Sequence, residues 1–301
     1  MPPASFRTGL LAKLASTFFF TVMLLAIKHA TVASGIGQIV FFRSAIGLVP
    51  VLLWLGWRGQ LRESLRPRSP RALLRRTLFG CGSVFGASAA LQFIPVTYAL
   101  SISYLAPLMI VLLAWLVLQE TVGVVRWLAL AMGLAGMAIM LLAPSHEKAA
   151  GLQGAWLPGC GLALLGAFCS AAATIEIRRL SDMPPGSLIV SFLLASALLA
   201  ATTFAGWTMP SARQWWLLIL SGLAGGLGQM FMMVSVRNAE ASALAPLEYT
   251  TLLWAVGFAL IGIGDVPGLW VFVGGAVVMV SGLMVITGER WRLPRLAVGS
   301  G

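Results

Sequence analysis

Ten mostly apolar stretches of about 20 residues follow one another along the chain, and short segments with charged residues, proline or glycine separate them. A helix of that length crosses the roughly 30 Å hydrocarbon core of a bilayer. The pattern predicts helices at 10–28, 36–57, 73–93, 100–118, 124–142, 155–177, 187–206, 214–236, 242–263 and 268–287. The predicted fold class is therefore an all-α polytopic membrane protein with ten transmembrane helices.

The composition agrees with a lipid environment. Hydrophobic residues make up 59% of the chain, charged residues only 10%, and the mean hydropathy is +0.94, which exceeds what one soluble core can bury. The three cysteines, Cys81, Cys160 and Cys169, lie inside apolar stretches without His or carboxylates at metal-ligand spacing. We expect them to be small buried residues, and we expect no metal and no cofactor.

The distribution of charge predicts the orientation of the chain. A net charge of +11 would suggest a nucleic-acid partner in a soluble protein. Here the cations lie between the apolar stretches. With the N-terminus in the cytoplasm, 16 of the 20 Lys and Arg residues fall on the cytoplasmic side, three fall outside, and only Arg43 lies deep in a span. We therefore expect a multi-pass protein of the inner (plasma) membrane with both termini cytoplasmic, and no nucleic-acid partner.

The two halves of the chain resemble each other at an offset of 139 residues. Ala106–Leu108 in the fourth span and Ala245–Leu247 in the ninth share the triplet Ala-Pro-Leu. The same offset pairs two other kinds of residue, Trp115 with Trp254 and Gly86 with Gly225. Because each half holds an odd number of spans, the second half must cross the membrane in the opposite sense. We predict two inverted five-helix repeats, 1–148 and 149–301, which form one membrane domain around a central cavity.

The chain resembles the drug/metabolite transporter superfamily, in the ten-helix group with two five-helix repeats. The resemblance covers nearly the whole chain and rests on a few motifs: Ala106-Pro107-Leu108, Leu113-Ala114-Trp115-Leu116 with Glu120, Trp127-Leu128, Ala135-Gly136, Ala245-Pro246-Leu247-Glu248-Tyr249 and Arg43 in Phe42-Arg43-Ser44-Ala45. It implies export of small metabolites, especially amino acids with aromatic or apolar side chains, and a bacterial amino-acid exporter is the nearest picture.

The expected function is secondary transport by alternating access. The chain has no phosphate-binding glycine loop, so ATP does not drive transport directly. A multidrug efflux carrier for lipophilic cations is the alternative, and a membrane-embedded enzyme or a passive pore is a weaker one because no paired catalytic set is evident. We expect a small-molecule substrate, the lipid bilayer as environment, and a monomer or weak homodimer.

Two charged residues inside predicted spans are candidates for substrate binding. Glu248 lies about two turns into the ninth span, where a carboxylate usually faces a cavity, a partner or a proton route. It either binds a substrate ammonium group or a proton, or forms a structural ion pair. Arg43 either holds a substrate carboxylate in a bidentate contact or braces neighbouring helices.

Amide and aromatic side chains extend the candidate substrate site. Gln92 and Gln229 flank the glycine-rich third and eighth spans, and an amide facing lipid would leave its donors and acceptors unpaired. Each lines the cavity or pairs between helices. Tyr104 and Tyr249 could stack on apolar substrates.

Four glycines and prolines at related positions are candidates for hinges or for close helix packing. Gly86 and Gly225 belong to spans rich in small residues, which let helices approach closely. Pro107 and Pro246 are each expected to remove one backbone hydrogen bond inside a helix, which permits a bend or fixes a static kink.

Overall fold

The computed structural model describes residues 6–30, 35–64, 69–90, 93–94, 102–141, 156–261 and 269–290. Throughout these ranges the secondary structure is helical, which confirms the predicted all-α class. The long helices are α1 (Phe6–Ala30), α2 (Ile36–Trp57), α3 (Pro70–Ala90), α4 (Ala106–Leu118), α5 (Val124–Leu141), α6 (Trp156–Arg179), α7 (Pro185–Ala201), α8 (Ala212–Asn238), α9 (Thr250–Leu260) and α10 (Leu269–Arg290). Short turns lie at Leu61–Ser64, Phe204–Gly206, Ala241–Leu244 and Ala245–Tyr249.

Each predicted span overlaps one of these helices, because continuous apolar stretches satisfy their backbone hydrogen bonds locally in lipid. The overlap is partial in the fourth span, where the helix begins at Ala106, and in the ninth, where only Thr250–Leu260 is a continuous α-helix. Within the described ranges, four helices are long and apolar enough to cross a membrane by length and composition: Phe6–Ala30, Ile36–Trp57, Leu157–Arg179 and Ala212–Asn238. Three apolar helices are shorter, Ala106–Leu118, Val124–Gly136 and Pro185–Ala201.

The two prolines of the repeated triplet lie in first turns, not inside continuous helices. Pro107 is in the first turn of α4, which begins at Ala106. Pro246 is in the first turn of the 3-10 segment Ala245–Tyr249, which interrupts the ninth span before α9. The expectation that each proline removes a hydrogen bond inside a helix is therefore wrong. A first turn leaves its backbone N–H groups without intrahelical partners, so a residue that lacks one is tolerated there.

The principal helix contacts follow a symmetric scheme. The pairs are α1 with α8, α3 with α6, α2 with α8, α3 with α7, α1 with α9, α4 with α6, α2 with α7, and α5 with α10. Replacing every helix by the one five places along the chain converts this set of pairs into itself. The two halves therefore pack on each other through equivalent helices.

Glycines allow the closest of these contacts. A Cβ atom on Gly86 of α3 would lie 3.1 Å from the Cα atom of Gly166 in α6. A Cβ atom on Gly47 of α2 would lie 3.1 Å from the carbonyl oxygen of Gly222 in α8. Both contacts join the first half to the second, so small residues hold the halves together at van der Waals distance.

Candidate functional site

A small cavity lies between the two halves. Helices α1 and α2 of the first half and α7 and α8 of the second supply its lining: Phe20, Met23, Arg43, Phe192, Leu193, Gly225 and Gln229. Its volume is about 10 Å³, close to the minimum for one water molecule. Three predicted site residues, Arg43, Gln229 and Gly225, are thus brought together in one place.

Arg43 is held in the cavity wall almost without hydrogen bonds. Its Nη1 donates to the Met23 sulfur at 3.5 Å, and a thioether is a weak acceptor. Its Nε and Nη2 atoms are buried, and no acceptor in the described ranges bonds to them. Gly225 leaves room for this pair, because a Cβ atom there would lie 3.0 Å from the Met23 sulfur and 3.7 Å from Cγ of Arg43.

A second arginine lies against Phe192, one of the residues that line this cavity. Arg76 of α3 is only 2% exposed, and its guanidinium group lies over the Phe192 ring, 4.6 Å from the centroid. Its Nε and Nη1 atoms are also buried without a hydrogen-bond partner among the described residues.

The charge count placed Arg76 among the cytoplasmic cations, and the structure adds that its side chain is buried. A signal was present in the sequence, because Gly80 follows one turn later on the same helical face. A Cβ atom on Gly80 would lie 2.7 Å from Nη1 of Arg76 and 2.6 Å from the Phe192 ring. The glycine therefore makes room for the arginine and the aromatic ring.

Glu248 lies in a different place and forms an ion pair with Lys13 of α1. The Glu248 side chain is 25% exposed, whereas Lys13 is only 2% exposed. The charge count had assigned Lys13 to the cytoplasmic side, and the structure adds that its side chain is buried. The pair joins the first half to the second across 235 residues of sequence. A structural ion pair was one of the alternatives that the sequence left open for Glu248, but nothing in the sequence identified Lys13 as its partner.

Tyr249 follows Glu248 in the chain, and it contacts Tyr104, the other predicted tyrosine. The Tyr249 hydroxyl donates to the backbone carbonyl of Tyr104 at 3.3 Å, and the two ring centroids are 6.2 Å apart. The Tyr249 ring packs against Gly133 of α5, where a Cβ atom would overlap it. Because Tyr249 is fully buried, its ring is not available for stacking on a substrate in this conformation. Gln92 lies outside the described residues.

Ion pairs between the halves gather at the end of the bundle where α8 ends. Four of them join the first half (residues 1–148) to the second (residues 149–301): Lys13–Glu248, Arg75–Glu176, Arg126–Glu240 and Arg178–Glu120. Glu120, the acidic residue of the family-like motif, also accepts hydrogen bonds from the backbone N–H groups of Ala241 and Ser242, both at 3.1 Å. It thereby caps the short helix that precedes Pro246.

The opposite end of the bundle is held by an amide and by aromatic rings. Gln38 of α2 donates to the backbone carbonyl of Thr208 at 2.7 Å and accepts from its N–H at 3.3 Å. Trp207 packs beside Phe41 and Phe42, with centroids 4.9 and 5.8 Å away. The two ends of the cavity are thus closed by different kinds of contact.

A larger groove of about 770 Å³ lies outside the bundle, around the turn between α4 and α5. Trp115 and Trp127 line it with partly exposed rings, and its acidic residue is Glu120. The Glu120 carboxylate is already bonded to the second half, and the groove is open to the exterior. We therefore place the candidate site in the central cavity.

Comparison with known proteins identifies a family. The EamA-like transporter family matches this chain twice, over residues 7–142 and 157–288. The two matches fall on the two halves that the repeated triplet defines. A crystal structure of another protein superposes with a TM-score of 0.82 over 95% of this chain and 99% of that one, at 19% sequence identity, which shows a shared fold.

Several characterised relatives carry different substrates. The pseudopaline exporter CntI of Pseudomonas aeruginosa is 27% identical over 279 residues, which are 91% of this chain and 94% of the relative. The riboflavin transporter of Vibrio cholerae is 25% identical, and the alignment covers 91% of each protein. The S-adenosylmethionine uptake transporter of Rickettsia prowazekii is 23% identical, over 83% of this chain and 81% of the relative.

Proposed function

Because this chain belongs to the EamA-like transporter family, and is thus a membrane transporter of small metabolites, we propose that it exports amino acids or similar amphipathic metabolites by alternating access. The proposed substrates include those with aromatic or apolar side chains. Transport follows ion or substrate gradients. Members of this family are transporters and not enzymes, which agrees with the expectation from sequence.

The proposed architecture is two inverted repeats, residues 1–148 and 149–301, with ten transmembrane helices. Two observations support it. The ten apolar stretches each overlap a helix, and the principal helix contacts are unchanged when equivalent helices of the two halves are exchanged. In such a transporter, exchanging the conformations of the halves opens one side of a central site and closes the other. The excess of Lys and Arg on one side supports an inner-membrane location with both termini cytoplasmic.

The single observation that carries the proposed site is Arg43, which lines a cavity built by both halves and whose Nε and Nη2 atoms are buried without a hydrogen-bond partner among the described residues. We assign substrate contact to Arg43 and Gln229. Glu248 is already paired with Lys13, so we assign it to closing one end of the pathway. Tyr104 and Tyr249 support that region, and Gln92 remains a candidate on sequence grounds alone.

We propose that the four predicted hinge or packing residues take part in the movement of the two halves relative to each other. Gly86 and Gly225 permit close packing between the halves or around Arg43, so they set how the helices meet. Pro107 and Pro246 each stand where a helix begins, and the chain can change direction there at little cost in hydrogen bonds.

Reconstitution in liposomes tests the proposed function. Purified full-length protein should mediate saturable uptake of labelled amino acids, and unlabelled substrate on the other side should accelerate it. A pore would show neither saturation nor counterflow. A membrane with folded protein but without flux of any amino acid or related metabolite would reject the proposal. Efflux of lipophilic cations that requires Glu248 would favour the multidrug alternative.

A further inference from the structure

The central cavity carries positive charge that no acidic residue in the described ranges neutralises. The guanidinium groups of Arg43 and Arg76 lie at its wall or against its Phe192 side, and neither forms an ion pair in the described part of the chain. The glutamates that do form ion pairs are matched with other cations, as Glu248 is with Lys13 and Glu176 with Arg75.

An arginine that only held helices together would donate hydrogen bonds to backbone carbonyls or to other side chains. Arg178 does so, because its Nη1 donates to the carbonyl oxygen of Val236 at 2.9 Å. Among the described residues, Arg43 bonds only to a thioether, and Arg76 lies on an aromatic ring with two nitrogens unpaired. Buried unpaired charge is costly, so its presence at a cavity between moving halves indicates a ligand of opposite charge.

The surroundings of the two arginines suit an organic acid. A planar guanidinium group binds a carboxylate through two parallel hydrogen bonds, which a compact ammonium group cannot do. Phe20, Phe192 and Leu193 offer apolar surface beside this charge. Gly80 leaves room for Arg76, and Gly225 leaves room for the Met23 sulfur that Arg43 contacts.

We propose that the carboxylate of an organic acid binds between Arg43 and Arg76 when the two halves separate and widen this cavity beyond its present volume of about 10 Å³, with the apolar part of the acid against Phe20 and Phe192. This inference rests on the proposed transport function and narrows its substrate class. A substrate ammonium group is not needed, because the lining contains no carboxylate in the described residues. Carboxylates are therefore preferred over amines and over neutral amides of the same shape.

Four compounds of one shape test the preference: 3-phenylpropanoate, L-phenylalanine, 3-phenylpropanamide and phenethylamine. Purified full-length protein in lipid nanodiscs is titrated with each, and ligand binding is measured by the rise in unfolding temperature. We expect 3-phenylpropanoate to stabilise the protein at least as well as L-phenylalanine. The amide and the amine should have no effect up to a roughly 100-fold higher concentration.

Single charge removals show which residues bind the acid. Arg43→Gln and Arg76→Gln should each weaken 3-phenylpropanoate binding roughly 30-fold or more, because one partner of a buried charged contact is lost. Arg43→Lys keeps the charge and loses the bidentate geometry, so it should bind with intermediate affinity. The matched control is Arg179→Gln, which removes one positive charge from a side chain that is 46% exposed and away from the cavity. It should bind as the unmodified protein does.

The unfolding temperature without ligand distinguishes an arginine that binds a ligand from one that braces neighbouring helices. If the Arg43 charge is paired only when a ligand is bound, the ligand-free Arg43→Gln variant should unfold at the same temperature as the unmodified protein or higher. The reason is that the substitution removes an unpaired buried charge. A lower unfolding temperature, together with unchanged 3-phenylpropanoate binding, would overturn the proposal. Binding of the amide or amine equal to that of the acid would also overturn it, and saturable flux in liposomes would then leave the transport function standing. Absence of all saturable flux would instead reject the transport function.

Discussion

The ion pair between Lys13 and Glu248 makes the sharpest prediction about how one end of the pathway opens. Glu248→Gln removes the carboxylate and leaves the ammonium group of Lys13, which is 2% exposed, without an opposite charge. Breaking a buried ion pair by removing one partner costs about 3–5 kcal/mol. Because the Glu248 side chain is 25% exposed, we take the lower value, about 3 kcal/mol. At 1.4 kcal/mol per factor of ten, this corresponds to a shift of more than about 100-fold toward conformations in which the pair is apart.

Cys81 provides a native reporter for this shift. It is 5% exposed and lies where α3 of the first half meets α7 of the second, with its sulfur 3.4 Å from the Ser196 hydroxyl, so a thiol reagent reaches it only when the two halves separate there. With Cys160 and Cys169 replaced by alanine, the labelling rate of Cys81 in liposomes follows the population of open protein. We expect Glu248→Gln to raise that rate by more than about tenfold, a conservative bound on the population shift.

The double variant Lys13→Met/Glu248→Leu is the control, because it removes both charges and leaves nothing unpaired. Its Cys81 labelling rate and unfolding temperature should return close to those of the unmodified protein. Additive effects of the two single substitutions, or a Glu248→Gln variant that labels at the unmodified rate, would refute the reasoning. If the double variant labels slowly but transports nothing, the carboxylate has a direct role in transport beyond closure.

Three further predictions concern packing and orientation. Gly86→Ala should lower the free energy of unfolding by about 1–3 kcal/mol, because its Cβ would lie 3.1 Å from Cα of Gly166. Gly161→Ala is the control and should not lower it, because no atom lies within 4 Å of the added Cβ. Equal unfolding temperatures for the two variants would contradict this prediction. Tyr249→Phe should cost about 1 kcal/mol through the lost hydrogen bond to Tyr104, and unchanged thermal stability would show that the bond contributes nothing. Protease-sensitive tags at the two termini should both be cleaved from the cytoplasmic side, and cleavage of the two from opposite sides would exclude an even number of spans.

The sequence by itself was sufficient for the helical class and for the approximate position of each long helix, because both depend on local apolar stretches of fixed length. It also indicated the repeat, since the Ala-Pro-Leu triplets recur at one offset, and the family later matched both halves. Arg43 and Gln229 could be named as candidates because polar groups inside apolar spans need a partner or a cavity.

Only the tertiary structure decided which charges are paired and which are not. Lys13 and Glu248 are 235 residues apart, and nothing local in either segment indicates that they meet. Arg76 looked like part of a basic loop, yet its guanidinium group lies buried on Phe192 of the other half. The burial and pairing of a charge depend on contacts between distant helices, so hydropathy along the chain, which averages over neighbours in sequence, carries no information about them.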